Sequence, residues 1–356
     1  MRVLIVTSLS EVFSEYSYYH DWQAGFLHHP KLETDLLDIQ NTRTSMRSLT
    51  LRGRYDLIVF LHNVHPTVTD SPKATLLRTL LLRVRGKRVF FLNNEYRSLK
   101  QKCDLADYLG ARTLISQLNH DDAQMLYRVL WTHQIISMPY GFDPTVFKPD
   151  KPHTEREIDI GFRGDYYPAY VGHDDRDLLL DAFNAKVKGR ENIRTDIQVG
   201  QRYDRFGWAA FLNNCRSLIG HEAGSTRLDA DENIRNFLNA QGKRLTPEHF
   251  RKLMLTMRET GVFDPPPSGR IAAPRNFEAM GTKTVQILLP GRYNDALEAG
   301  VHYIELKRDF SNLDQVIDTL FDETAYQQIA ERAYADGLKH HTYEQRVNKL
   351  LEEVLG

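Results

Sequence analysis

The sequence is short of several things at once, and each shortage removes a class of protein. Only two cysteines occur in 356 residues, Cys103 and Cys215. Their separation matches no metal-ligand spacing and supports no disulfide framework, so a cysteine-based metal site is excluded and a reducing compartment is expected. Long apolar runs are missing too: none exceeds the five aliphatic and aromatic residues of 57–61, against the ~20 that cross a bilayer. The opening residues 1–7 read as a strand rather than a signal peptide, and the expected location is cytoplasmic. Neither charge sign dominates, since the net charge is −1. The first strand is followed by Thr7-Ser8-Leu9-Ser10 and not by G-x-G-x-x-G, which argues against a dinucleotide cofactor and against a dehydrogenase. There is no low-complexity tract and no repeat of fixed period.

What remains is an ordinary globular composition, 41% apolar and 26% charged, in a chain long enough for two domains. Short apolar runs at 3–6, 35–39, 57–61, 88–92, 113–116 and 135–138 alternate with amphipathic segments at 22–28, 74–84, 100–109 and 121–131. Continuous apolar strands separated by helices predict a parallel sheet covered on both faces. Four prolines and a glycine between 139 and 152 then mark a linker. A second alternation follows, with strands expected at 158–162, 195–199, 217–220, 285–289 and 302–305. Its helices are expected at 175–185, 208–214, 247–256, 275–280, 313–320 and 325–340. The fold class is α/β, with a Rossmann-like domain over 1–148 and a second over 149–341. A final helix in 342–356 is placed to return to the first domain.

Charge is unevenly spread. Between Lys31 and Lys102 there are 14 Lys and Arg against 6 Asp and Glu, part of them on an apparent helix from 73 to 88. Two readings stand: a solvated helix face, or peripheral contact with an anionic inner membrane face or a phosphate-bearing acceptor. Nucleic acid is not expected as a partner, because no recognised module or basic–aromatic interleaving is present.

Ligands of open parallel sheets bind beyond the carboxyl ends of the strands. In the first half those ends carry His62-Asn63-Val64-His65 and Asn93-Asn94-Glu95-Tyr96. His62 and Glu95 are candidates for handling an acceptor hydroxyl, and Asn94 and Tyr96 for binding it. Each has an ordinary alternative: a histidine satisfied by a carbonyl, or a carboxylate paired with Arg97. In the second half Arg163 and Gly164 follow a strand and offer a guanidinium fork and close backbone approach. Glu222, Gly224 and Ser225 follow another, where a carboxylate meets two flexible backbone positions. The strongest segment is Ala273-Pro274-Arg275-Asn276-Phe277-Glu278-Ala279-Met280-Gly281. Proline presets the first turn of a helix whose positive end, with Arg275, suits a diphosphate, while Glu278 suits the two hydroxyls of a ribose.

This Arg-x-x-Glu helix, with Pro139-Tyr140-Gly141-Phe142-Asp143 before it and His302-Tyr303-Ile304-Glu305 after it, resembles GT-B glycosyltransferases. The similarity is to the group that includes the spore-maturation type. The resemblance implies two Rossmann-like domains facing each other across a cleft, and a nucleotide-diphosphate sugar as donor. Arg163, Gly164, Gly224, Ser225, Arg275, Asn276, Phe277 and Glu278 would bind that donor. Transfer of a hexosyl or related group would go to a hydroxyl acceptor, glycan, lipid-linked or otherwise, as in polysaccharide biosynthesis. The chemistry implied is retaining and metal-independent, with no tightly bound cofactor. The larger retaining group carries another glutamate eight positions before Glu278; here Arg270 stands there, and Glu222 is the candidate to replace it. A nucleotide-sugar epimerase, or a non-catalytic sugar-nucleotide-binding protein of the same fold, stays open at this point.

Overall fold

The computed structural model describes residues 1–8, 16–40, 53–68, 72, 75, 79, 81, 84–190, 192–240, 252–253, 255–256, 259 and 267–356. They form two compact units. Unit 1 comprises Met1–Pro139, Leu228–Glu232 and Tyr343–Gly356, and unit 2 comprises Tyr140–Arg227 and Asn233–Thr342.

Unit 1 is built on six parallel strands: β1 Arg2–Thr7, β2 Glu33–Asp38, β3 Arg54–Phe60, β4 Arg85–Phe91, β5 Thr113–Ser116 and β6 Gln134–Ser137. Their spatial order is β2-β1-β3-β4-β5-β6. The register sets Val3 against Leu57 and Val89 against Thr113. The apolar runs of the inner strands β1, β3, β4 and β5 are buried on both faces, while the edge strands β2 and β6 are partly exposed. Helices α1 Ser17–Leu27, α2 Val64–Val68, α3 Leu99–Tyr108 and α4 His120–Tyr127 connect the strands. β4 begins at Arg85, so the apparent helix to residue 88 ends earlier than its leucine spacing suggested; the backbone of Arg85 already pairs with Arg54. The helices expected over 74–84 and 247–256 lie largely outside the described residues.

The C-terminal helix Tyr343–Leu355 buries Tyr343, Val347, Leu350, Leu351 and Val354, a stripe at three- and four-residue intervals. It joins Val3, Ile5, Trp22, Phe26, Leu57, Val59 and Phe91 in one core. A Cβ on Gly25 would come within 2.9 Å of the Tyr343 Cβ, so glycine is what lets α1 approach this helix.

Unit 2 holds five parallel strands, β7 Ile158–Gly164, β8 Thr195–Val199, β9 Cys215–Gly220, β12 Val285–Leu288 and β13 Tyr303–Glu305. Their order is β13-β12-β9-β7-β8. A separate antiparallel pair, β10 Ala223–Ser225 with β11 Gly269–Ile271, brackets the long segment between them. Helix α5 starts at Asp175–Asp177, continues through a π-helical stretch Leu178–Phe183, and ends with Asn184–Lys188. It is followed by α6 Arg205–Asn214, α7 Asn233–Ala240, α8 Pro274–Gly281, α9 Leu313–Phe321 and α10 Glu323–His340. The proline-rich stretch after residue 139 belongs to unit 2 and is more than a tether. Phe142 and Phe147 are fully buried, and the Phe142 N–H donates to the His341 carbonyl at 3.1 Å. Burial of each such ring contributes about 1.5–3 kcal/mol, which fastens the linker to its unit.

No helix among the described residues is long and apolar enough to cross a membrane.

Candidate functional site

At the carboxyl edge of the unit 2 sheet, α8 sets out the first functional side chains. Pro274 fixes its first turn, and the Asn276 side chain reaches back to accept the Ala273 N–H at 2.8 Å. The same amide donates to Gln286 Oε1 at 2.8 Å, and Gln286 returns a bond to the Asn276 carbonyl. Phe277 is fully buried, its ring 5.3 Å from that of His341. Asn276 and Phe277, expected at the nucleotide, are thus turned inward, where they hold the helix against β12. Arg275 and Glu278, three residues apart, share the other face.

Arg275 is partly buried and donates to the Arg163 carbonyl at 3.0 Å, with its guanidinium 5.3 Å from the Phe162 ring centroid and 6.0 Å from that of Trp208. Its pKa is pushed down to about 10, first by burial and then by Arg176, with Arg202 adding to the effect. Arg176, from the first turn of α5, lies 3.7 Å over the Tyr167 ring. It donates to the Asp165 carbonyl at 2.9 Å and to His221 Nε2 at 3.3 Å. Among the described residues neither Arg176 nor Arg275 has a carboxylate at ion-pair distance. The two guanidinium groups repel each other, and the nearby Glu278 carboxylate offsets that repulsion only in part.

Glycine 164 stays at this site. A Cβ there would press on the Phe162 ring at 3.2 Å and approach Arg176 Nη1 at 3.6 Å. Arg163 does not offer its fork outward. Its guanidinium donates to Asp196 Oδ2 at 2.5 Å and to the carbonyls of Asp196 and Phe162, and lies 4.3 Å over the Phe211 ring. What reaches the site is its carbonyl. Glu278, 3% exposed, accepts a hydrogen bond from Trp208 Nε1 at 2.7 Å.

Glu222 sits beside Arg270, as the pairing of β10 with β11 dictates; Arg270 Nε is 3.5 Å from Glu222 Oε2. Its Oε1 accepts the backbone N–H groups of Arg292 at 3.1 Å and Tyr293 at 2.7 Å. Those amides open a turn in which Tyr293, Asn294 and Asp295 all have positive φ, 47°, 54° and 55°. Three left-handed residues in succession store strain, and Glu222 pins them. Glu222, the catalytic candidate read from the sequence, is thus an anchor of this turn. Gly224, at φ 86°, is a glycine because a Cβ would sit 1.8 Å from the Gly269 carbonyl oxygen across the strand pair. Ser225 Oγ donates to the Arg227 carbonyl at 2.8 Å. Both have a part in the hairpin.

His173, Asp175 and His221 bring one ligand atom each within 4.8 Å of one another, a grouping the sequence spacing did not disclose. Three guanidinium groups already occupy it. Arg270 and Arg308 pair with Asp175, and Arg176 donates to His221. Burial first, and these arginines next, hold both histidines well below the ordinary imidazole pKa. The trio is a charge network supporting Arg176, not a set of vacant metal ligands.

In unit 1 the predicted residues meet a different fate. Glu95 is buried and accepts from Ser116 Oγ, the Gln117 N–H at 2.8 Å and Tyr127 Oη. Burial raises its pKa against these donors. His62 lies among the rings of Tyr18, Tyr19, Trp22 and Phe91, at 5.4–6.2 Å, and burial brings its pKa down to about 3. Lys102, likewise buried, donates to the carbonyls of Asn93 and Asn94, and its pKa falls to about 8. Asn94 takes a left-handed conformation, φ 46°, and accepts from Tyr96 Oη at 3.2 Å on the surface. The two proposed catalytic groups are thus interior residues, Glu95 among hydrogen-bond donors and His62 among aromatic rings.

Three residues at the unit 2 site escaped sequence reading: Arg176, Tyr167 and Trp208. Arg176 sits in Asp174-Asp175-Arg176-Asp177 and looks like surface charge. The aromatic spacing of Tyr203, Phe206, Trp208 and Phe211 was the one available signal.

Comparison with known proteins bears on this geometry. Residues 241–352 match a family model described as glycosyl transferase-like. No curated protein matches the sequence. Among solved structures, a DNA-modifying β-glucosyltransferase studied with and without UDP-glucose aligns over 100% of both chains, with a TM-score of 0.57 and 8% identity. Sucrose-phosphate synthase from Thermosynechococcus elongatus aligns over 100% of this chain and 99% of its own, at TM-score 0.52 and 8% identity. Anabaena HepE, solved with UDP-glucose, aligns over 99% and 100%, at TM-score 0.50 and 12% identity. The fold is GT-B. Identities this low carry the GT-B architecture and nothing finer. The cationic pair, Glu278 and Trp208 all lie in the second Rossmann-like unit of that fold, at its strand ends.

Proposed function

We propose that this protein is a glycosyltransferase that takes a sugar from a nucleoside diphosphate sugar and passes it to a hydroxyl acceptor. The observation that carries the reading is the pair Arg176 and Arg275, partly buried, close together and, among the described residues, without a carboxylate at ion-pair distance. A diphosphate supplies the missing negative charge. Glu278, on the same face of α8 as Arg275, is placed to accept hydrogen bonds from the attached ribose. The GT-B fold and the glycosyl transferase-like match over 241–352 agree with this donor.

Charge accounts for the chemistry. As the bond from the sugar C1 to the diphosphate oxygen breaks, negative charge grows on the leaving group, and two fixed guanidinium groups stabilise it. Retention of configuration is part of the proposal. Of the candidate general bases, Glu222 and Glu95 accept hydrogen bonds from internal donors, and burial holds His62 far below the ordinary imidazole range. The departing diphosphate oxygen is then the group that accepts the acceptor's proton, on the same face as the new C1–O bond. The two arginines supply the cationic charge, so this route calls on no metal.

Turnover tests it. Purified protein incubated with a set of nucleotide sugars and simple glycoside acceptors should release nucleoside diphosphate and form product with one donor. Arg275→Ala should lose most of that activity. A donor altered in the absence of any acceptor would point to an epimerase, and no reaction or binding with any donor would sink the proposal.

A further inference from the structure

Arg176 is aimed by three contacts, and none of them is a carboxylate. Its Nε–H donates to His221 Nε2 at 3.3 Å, and its Nη1 donates to the Asp165 carbonyl at 2.9 Å. The Tyr167 ring covers one face of the guanidinium at 3.7 Å. Nη2 makes no hydrogen bond among the described residues and is the edge that a ligand can reach. His221 directly follows β9, the middle strand of the five, and is 4% exposed. Its Nδ1 lies 2.6 Å from the Glu222 carbonyl oxygen. A carbonyl only accepts, so the ring proton sits on Nδ1, and Nε2 keeps the lone pair that Arg176 needs. The rings of Tyr167 and His173 pack on this imidazole with centroids 5.4 and 5.8 Å away. Burial first, then Arg176, His173 and Arg270, disfavour a second proton on it, so the acceptor stays neutral.

We propose that His221 is a positioning residue: fixed by the Glu222 carbonyl as the Nδ1–H tautomer, it orients the Arg176 guanidinium for an anion through a neutral acceptor, without cancelling its charge. This rests on the reading of Arg176 as a ligand to a diphosphate. A carboxylate is the common partner of a buried arginine, and one at position 221 would orient the group and also cancel the charge that draws the phosphate. Arg163 shows that case in the same unit, since it pairs with Asp196 and offers the site only its carbonyl. An apolar side chain at 221 would leave the charge but remove one of the two hydrogen bonds that hold Arg176. Binding would then have to order a long side chain that is now held in advance. Orientation and charge are separable here, and position 221 governs both.

The test is a set of three variants at one position. ADP, GDP, UDP and CDP are compared by calorimetry with the wild-type protein, and the tightest is taken forward with its monophosphate. His221→Gln keeps a neutral acceptor near the place of Nε2, His221→Glu puts a charged one there in the same shape, and His221→Phe removes it. Circular dichroism confirms that each variant is folded. His221→Gln should bind the diphosphate within about threefold of wild type and His221→Phe about tenfold more weakly. His221→Glu should bind it about 10- to 100-fold more weakly. These losses should lie in the ratio of diphosphate to monophosphate affinity, which a general disturbance of the fold would not move. If phenylalanine prevents folding, the comparison of Gln with Glu decides alone. Equal affinity in His221→Gln and His221→Glu, or wild-type affinity in His221→Phe, overturns the inference and leaves the diphosphate site standing. Failure of the wild-type protein to bind any of the four diphosphates removes the underlying reading and the inference with it.

Discussion

The two units carry polar clusters at equivalent places, the carboxyl ends of parallel strands, and use them in opposite ways. In unit 1 the charges are spent on neutral internal partners: Glu95 collects Ser116, Gln117 and Tyr127, and Lys102 caps two carbonyls. In unit 2 two guanidinium groups have no carboxylate at ion-pair distance among the described residues, and lie near a carboxylate held by an indole. A buried polar residue at a strand end is therefore a poor marker of function in itself. The informative quantity is charge left over after internal partners are counted, because that remainder is what a ligand satisfies.

The largest expected effect lies in unit 1. Glu95→Ala strands three buried donors, and urea unfolding should show a loss of about 3 kcal/mol with nucleoside diphosphate affinity unchanged. Loss of affinity without loss of stability would reverse the comparison. In unit 2, Arg275→Ala should do the converse. Calorimetry should show nucleoside diphosphate bound about 10- to 100-fold more weakly, while the melting temperature of the ligand-free protein rises as like-charge repulsion is relieved.

Acid sharpens the contrast. His62, His173 and His221 have folded pKa values below the ordinary imidazole value. As pH falls below about 6.5 the unfolded chain takes up protons that the folded one refuses, so stability drops. For His62 the window runs from the ordinary value down to about 3. Each histidine gives a slope of up to about 1.4 kcal/mol per pH unit. Unit 2, with two such histidines, should lose stability about twice as steeply as unit 1 from this source in denaturation series at pH 7.0 and 5.5. Equal slopes with His221→Phe and the wild type would contradict this. The smallest effect is expected of Glu222→Gln, about 1 kcal/mol of stability from a weakened loop anchor, with turnover within tenfold of wild type. A fall of 100-fold or more would return Glu222 to catalysis.

Most of the strand pattern was legible because doubly covered parallel strands write themselves as unbroken apolar runs, and each expected run of unit 2 lies in or against a strand of the five-stranded sheet. The hairpin β10–β11 was not legible. Its strands are three residues long and more than forty residues apart, and only Gly224, crowded by the Gly269 carbonyl, betrays the pairing. Within α8 the sequence singled out Arg275 and Glu278, but nothing in it said that Asn276 turns back to Gln286. Arg163 and Arg176 illustrate the limit best. Both are arginines near strand ends, and only the position of Asp196 decides that the first is neutralised and the second is not. Such pairing depends on long-range geometry that local periodicity does not encode.

The central claim, that Arg176 and Arg275 await a diphosphate, is met most directly by calorimetric titration with a nucleoside, its monophosphate and its diphosphate. The account predicts that affinity rises steeply with the second phosphate, and that Arg176→Ala and Arg275→Ala each remove that gain. A nucleoside that binds as tightly as its diphosphate, or variants that bind the diphosphate as the wild type does, would contradict it.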